Sequence, residues 1–159
     1  MDGIYSIDNP NRLFERLVRQ FSAFCRSPSE DGIWDVIFPL YHLREWICPD
    51  GYKSYKHKQK RELSREEWLH AHLYAMPEYE IVRSLCNAAK HYSQEELEGR
   101  VQVAEGLRAG LARAGDSLGV THFLVDGRDV RDFFWPVYQV YFHYFRTRQS
   151  EALDSANDY

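Results

Sequence analysis

Three polar side chains recur at every fourth position of one predicted helix. Arg83, Asn87 and His91 stack along one stripe at about 100° per residue, and Lys90 lies beside them. Histidine can move a proton near neutral pH, arginine and lysine can hold a phosphate, and an asparagine amide can orient either partner. The stripe therefore favours acid–base chemistry on a phosphate ester. It also fits a solvated helix end, because cations there interact favourably with the helix dipole and Glu80 can pair with Arg83.

A second histidine of interest lies in the motif HLREW, on a helix that is apolar on nearly every side. Such a histidine needs a hydrogen-bond partner inside the protein, and a neighbouring polar helix can supply one. His42 is thus either a satisfied core histidine or a catalytic or orienting partner of the stripe, with Trp46 about one turn away. His70 and His72 are about 160° apart on a helix, so we expect no shared metal ion.

The segment after HLREW is rich in lysine. From Pro49 to Leu63 the hydrophobic periodicity stops, which predicts a mobile basic loop. The loop is interpreted either as a solvated stretch or as a phosphate-contacting segment with Tyr52 and Tyr55 available for stacking. Together with Lys90, the candidate substrate-binding residues are Lys53, Lys56, Lys58, Lys60 and Arg61.

Helical periodicity dominates the elements that must position these residues. Helix starts are indicated by Asx and proline residues or by a capping box, in which a serine hydroxyl and a glutamate carboxylate each satisfy a free backbone N–H. The five predicted helices are one beginning at Asp8–Asn9–Pro10, one over 33–47 with a kink at Pro39, one from the Ser64–Glu67 capping box to Ala75, one over 78–92 and one over 129–148.

Between the last two helices the period becomes alternating. Apolar residues at odd positions over 101–111 and a β-branched, aromatic stretch over 120–125 favour two strands, joined by a turn around 114–116. Asp126–Gly127 is expected to end the second strand. The sequence therefore predicts a mainly α fold, a helical bundle of about five helices with a small β-hairpin inserted before the last helix. We expect one domain over 1–150 and a frayed acidic tail over 151–159.

Composition restricts the function classes. The 159 residues are 44% hydrophobic, which is enough for one packed core, and the net charge of -4 argues against a general nucleic-acid-coating protein. We expect no membrane span and no secretory signal. The three separated cysteines, Cys25, Cys48 and Cys86, fit reduced thiols in the cytoplasm. No cofactor is expected.

The pairing of HLREW with RSLCNAAKH resembles uncharacterised bacterial helical proteins that carry HLxxW and RxxxNxxKH elements. More loosely, it resembles the HEPN superfamily of helical bundles, many of which are RNA-cleaving toxins or defence proteins. In the ribonuclease members an arginine is followed by a polar residue, three further residues and a histidine. Asn87 and His91 match the last two positions, but Cys86 stands where the arginine should be, and Arg83 lies one turn earlier.

The resemblance implies a metal-independent endoribonuclease of a toxin–antitoxin or defence system, with RNA as its partner and a homodimer by analogy only. His91 would act as general acid or base, Arg83 and Lys90 would stabilise charge on phosphorus, and Asn87 would position His91. The alternative is a non-catalytic module with a degenerate motif that binds a protein partner or a nucleotide. The departure at Cys86 favours this second hypothesis.

Overall fold

The computed structural model describes residues 6–91 and 97–156, with the backbone alone at 91 and 149–156. Five α-helices and a small sheet are arranged in the predicted order, which confirms the mainly α fold. The helices are α1 (Pro10–Arg26), α2 (Glu30–Ile47), α3 (Arg65–Ala75), α4 (Pro77–His91) and α5 (Val130–Ala156), and the strands are β1 (Val101–Glu105), β2 (Thr121–Val125) and β3 (Arg128–Asp129). None of the helices in these described ranges has the length and hydropathy needed to cross a membrane.

Local side-chain contacts explain where the first three helices begin. The Asn9 side chain accepts a hydrogen bond from the backbone N–H of Arg12 at 3.1 Å, ahead of α1. Ser29 caps α2 in the same way, so this helix begins at Glu30 rather than at the predicted residue 33. The capping box before α3 is confirmed: Ser64 Oγ accepts from Glu67 N at 3.2 Å, and Glu67 Oε2 accepts from Ser64 N at 2.9 Å.

The central helix of the fold is α2. It packs against α1, α3, α4 and α5, as expected for a helix that is apolar on most sides. Val36, Leu40 and Leu43 are fully buried along it, and the helix continues through Pro39. Two large apolar side chains of α2, Trp34 and Phe38, remain exposed on its outer side. The core is completed by aromatic residues of α5, among them Phe134 and Tyr141.

The sheet has three strands rather than the two of the predicted hairpin. β1 and β2 pair antiparallel, with Val101 opposite Val125, and β3 pairs with β2. The third strand forms because Asp126 and Gly127 both have positive φ, 52° and 75°, as a tight two-residue hairpin turn requires. These two residues end β2 as predicted, but the third strand that follows them was not predicted. β1 is also shorter than expected, and 106–120 forms a long connection.

Two segments have more local order than the sequence suggested. The predicted basic loop over 49–63, called the basic segment below, contains two 3-10 helices, Gly51–Ser54 and Lys60–Glu62. It also buries Tyr55, so it is not a loop without structure. The last helix continues to Ala156, through much of the segment predicted as a frayed tail.

Candidate functional site

The segments HLREW and RSLCN lie on neighbouring helices. α2 packs against α4, and the Tyr79 hydroxyl of α4 donates a 2.9 Å hydrogen bond to the carbonyl of Tyr41 in α2. The two rings stack with their centroids 6.0 Å apart. Burial raises the pKa of Tyr41. The negative charge of Glu45 raises it further, whereas the positive charges of Arg44 and Arg83 lower it. The helical turns that carry the two motifs are therefore close in space.

His42 forms its hydrogen bond within its own helix. Its Nδ1 lies 2.8 Å from Oε2 of Glu45, one turn later in α2. The side chain is 25% exposed, and its ring packs against Phe38 and Tyr41. The expectation that a neighbouring helix supplies the partner was wrong, because the i,i+3 spacing already places a carboxylate within reach. With Nδ1 donating to Glu45, the neutral imidazole has its unprotonated nitrogen at Nε2, where it can accept a proton.

The α4 stripe is partly described. Arg83 forms an i,i+3 ion pair with Glu80, through Nε to Oε2 at 2.9 Å and a second contact from Nη2 to Oε1. This hydrogen bonding lowers the pKa of Glu80. Asn87 is half-buried and Lys90 is exposed. His91 ends α4, and its side chain lies outside the described residues.

Cys86, at the position of the arginine in the ribonuclease motif, points into the protein. It is 7% exposed. Burial raises the pKa of its thiol, the Glu45 carboxylate raises it further and Lys90 opposes the change. A buried neutral thiol cannot replace the charge of a guanidinium. The cations that α4 itself offers beside Cys86 are Arg83 and Lys90.

The basic segment divides into exposed cations and one engaged lysine. Lys58 Nζ contacts both carboxylate oxygens of Glu67, at 2.7 and 2.9 Å, and so ties the segment to the start of α3. The same contact lowers the pKa of Glu67. The other cations of the segment are also exposed: Lys53, Lys56, Lys60 and Arg61.

Sequence reasoning missed a cationic cleft on another side of α2. The Arg44 guanidinium is 8% exposed and lies between the rings of Tyr74 and Tyr79, 5.6 and 4.9 Å from their centroids. Next to it, the Tyr55 hydroxyl and Nδ1 of His70 are 2.8 Å apart. The sequence feature that could have revealed this cleft is Arg44 itself, a charged residue in the middle of HLREW on a largely apolar helix.

A second missed cluster joins the long 106–120 connection to β2 and α5. Arg131 bonds Asp116 at 2.8 and 3.1 Å and Asp129 at 3.0 and 3.1 Å. His122 contacts Asp129 through Nδ1 at 3.0 Å and the carbonyl of Gly106 through Nε2 at 3.1 Å. All four side chains are at most 3% exposed. These polar groups satisfy one another, so the cluster is structural in character.

Over the described ranges, no three His, Cys, Asp or Glu side chains are grouped so that they could hold a metal ion. No protein-family model matches the sequence, and neither a curated protein nor a solved structure matches it. The functional argument therefore depends on the chain's own residues.

Proposed function

We propose that this chain is a HEPN-like, metal-independent endoribonuclease of a toxin or defence system. The observation that supports it best is the hydrogen bond between His42 and Glu45 on α2, next to the helix that carries Arg83 and Asn87. A carboxylate on one imidazole nitrogen fixes the tautomer and leaves the other nitrogen able to accept a proton. This is the arrangement that a general base requires.

The reaction needs two proton transfers and no redox step. One histidine, His42 or His91, removes the proton from a ribose 2′-hydroxyl, and the 2′-oxygen then forms a bond to phosphorus. The bond from phosphorus to the 5′-oxygen breaks, and the other histidine donates a proton to that oxygen. The products are a 2′,3′-cyclic phosphate and a 5′-hydroxyl end.

Charge on the phosphorane oxygens requires cations. Lys90 is exposed and can approach phosphate directly, whereas Arg83 must exchange its contact with Glu80 for the substrate. An exposed ion pair of this kind is worth roughly 0–1 kcal/mol, so the exchange costs little. Asn87 would position His91, and the exposed cations Lys53, Lys56, Lys60 and Arg61 would contact flanking phosphates. By analogy, the active form is a homodimer.

The test is cleavage of total RNA in the presence of a chelator, using the wild-type chain and the variants His42→Ala and His91→Ala. His143→Ala is the matched control, because His143 is an exposed histidine on α5 that has no role in the proposed site. We expect wild type and control to release fragments with cyclic phosphate ends and both site variants to lose most activity. Equal cleavage by all four proteins would indicate a contaminating nuclease, and no cleavage by any would reject the proposal.

A specific observation favours a second candidate, a non-catalytic module that binds a protein partner or a nucleotide. Cys86 is buried at the position of the motif arginine, and Arg83 is already paired with Glu80. This candidate predicts that labelled RNA or nucleotide binds without being cleaved and that His91→Ala leaves the affinity unchanged. Fluorescence anisotropy, followed by electrophoresis of the recovered RNA, separates the two candidates.

A further inference from the structure

A cleft of about 570 Å³ lies beside α2, α3 and the 3-10 helix Gly51–Ser54. Its volume is within the range of small-molecule sites, about 300–1,000 Å³. The residues that line it are Arg44, Tyr52, Tyr55, His70, Ala71 and Tyr74. The basic segment, the central helix and the third helix thus each contribute to one concave surface.

The Arg44 guanidinium, which lines this cleft, is incompletely paired. Its Nε and Nη1 atoms are buried and have no hydrogen-bond partner among the described residues. A buried guanidinium without an anion or hydrogen bonds is costly, because it has lost its water without compensation. An anionic group in the cleft beside the guanidinium would offset this buried charge.

Two carboxylates near this region in sequence are engaged elsewhere. Glu45 bonds His42, and Glu67 bonds Lys58 and the backbone of Ser64. Burial, together with the positive charge of Arg44, lowers the pKa of His70 to about 4. His70 is therefore neutral at physiological pH, and the positive charge in the cleft belongs to Arg44.

Aromatic rings form the rest of the cleft. Tyr74 and Tyr79 flank the guanidinium, and the contact from Tyr55 to His70 fixes the position of the Tyr55 ring. Tyr52 is 64% exposed and meets Tyr55 edge to face, with centroids 5.4 Å apart. These surfaces suit a planar, partly apolar ligand body, because aromatic rings pack favourably on one another in stacked or edge-to-face geometry.

We propose that this cleft binds a small ligand with one anionic group, a carboxylate or a phosphate, on a planar aromatic body. The anion would contact Arg44, and the ring would lie against Tyr52, Tyr55 and Tyr74. Arg44 and His42 are about 160° apart around α2, so the anion site at Arg44 is distinct from His42, although Tyr52 and Tyr55 belong to the basic segment proposed to contact flanking phosphates. The proposal does not require that the chain cleave RNA.

Calorimetric titration of the full chain tests whether the cleft binds such a ligand. The anionic probes are adenosine 5′-monophosphate, benzoate and inorganic phosphate. The neutral analogues are adenosine and benzamide. The variant is Arg44→Met, and Arg19→Met is the control because Arg19 is an exposed arginine on α1. We expect at least one ring-bearing anion to bind wild type and control, and to bind Arg44→Met about tenfold or more weakly, as the loss of a charged hydrogen bond predicts. Phenyl phosphate is titrated beside benzoate, and because the two share one ring, preference between them identifies the anion as phosphate or carboxylate.

Several results would overturn the proposal. Two of them are binding of the neutral analogues as tightly as the anions, and binding of the ring-bearing anion to Arg44→Met as tightly as to wild type. The other two are no binding of any probe to wild type, and binding of inorganic phosphate as tightly as the nucleotide. Tyr52→Ala supplies a second variant if Arg44→Met does not fold, since Tyr52 is exposed and its loss leaves the core intact. It should weaken binding of the ring-bearing anion without changing the melting temperature of the free protein.

Discussion

Arg131 at the start of α5 donates two hydrogen bonds to Asp116, from Nη1 to Oδ1 at 2.8 Å and from Nη2 to Oδ2 at 3.1 Å. Both side chains are 2% exposed. Asp116 lies in the long 106–120 connection, and Arg131 also binds Asp129 at the end of β3. One guanidinium therefore attaches a long connection to the sheet and the last helix.

Removing the charge of Asp116 should destabilise the protein. Asp116→Asn leaves Arg131 buried with one carboxylate instead of two, and breaking a buried ion pair from one side costs about 3–5 kcal/mol. The control is Asp132→Asn, because Asp132 pairs with Arg113 at an exposed position and should contribute roughly 0–1 kcal/mol. Urea unfolding measures both values, and similar losses in the two variants would contradict the structural role of the cluster.

The same cluster makes stability depend on pH in the acid range. The hydrogen bonds from Arg131 hold the pKa of Asp116 at about 2, below its ordinary value of 3.8. The folded protein thus binds this proton less tightly than the unfolded chain, so the stabilisation is present above pH 3.8 and is lost as pH falls towards 2. Urea unfolding between pH 6 and 2 should show the difference between wild type and Asp116→Asn shrinking below about pH 4. A constant difference across this range would contradict the assignment.

The sequence predicted well those features that depend on neighbours along the chain. The capping box of Ser64 and Glu67 sets the start of α3, and the continuous apolar surface of α2 identified the central helix. The third strand was missed because Asp126–Gly127 is compatible both with the end of a strand and with a hairpin turn. The strand after the turn is only two residues long, too short for an alternating pattern to reveal it.

The candidate site was harder to predict than the fold, because burial and the pairing of side chains decide what its residues can bind. Spacing brought Arg83 and Asn87 to one stripe and indicated that Glu80 can pair with Arg83, but it did not indicate that Glu45 would bind His42. Arg44 was overlooked for the same reason. An arginine in a helix becomes a candidate ligand contact only when its donors are known to be buried and unpaired.

The Asp126–Gly127 turn gives a local test of the third strand. Gly127 has φ 75°, a left-handed conformation that costs a residue with a Cβ about 1 kcal/mol. Gly127→Ala should lower the free energy of unfolding by this amount. Gly119→Ala is the control, since Gly119 has no positive φ and an added Cβ there meets nothing within 4 Å. Equal stability of the two variants in urea would contradict the turn geometry.

His70 reports on the charge in the Arg44 cleft. Its pKa of about 4 results from burial and from the positive charge of Arg44, so the folded protein binds this proton less tightly than the unfolded chain, whose value is near 6.5. Stability should therefore fall as pH decreases from 6.5 towards 4.

NMR titration of the His70 ring checks this directly. Arg44→Met should raise the midpoint towards 6.5, because it removes the opposing charge. Glu45→Gln should lower the midpoint, because the Glu45 carboxylate acts in the other direction. A midpoint that stays the same in Arg44→Met would contradict the placement of the guanidinium charge beside His70 in the cleft.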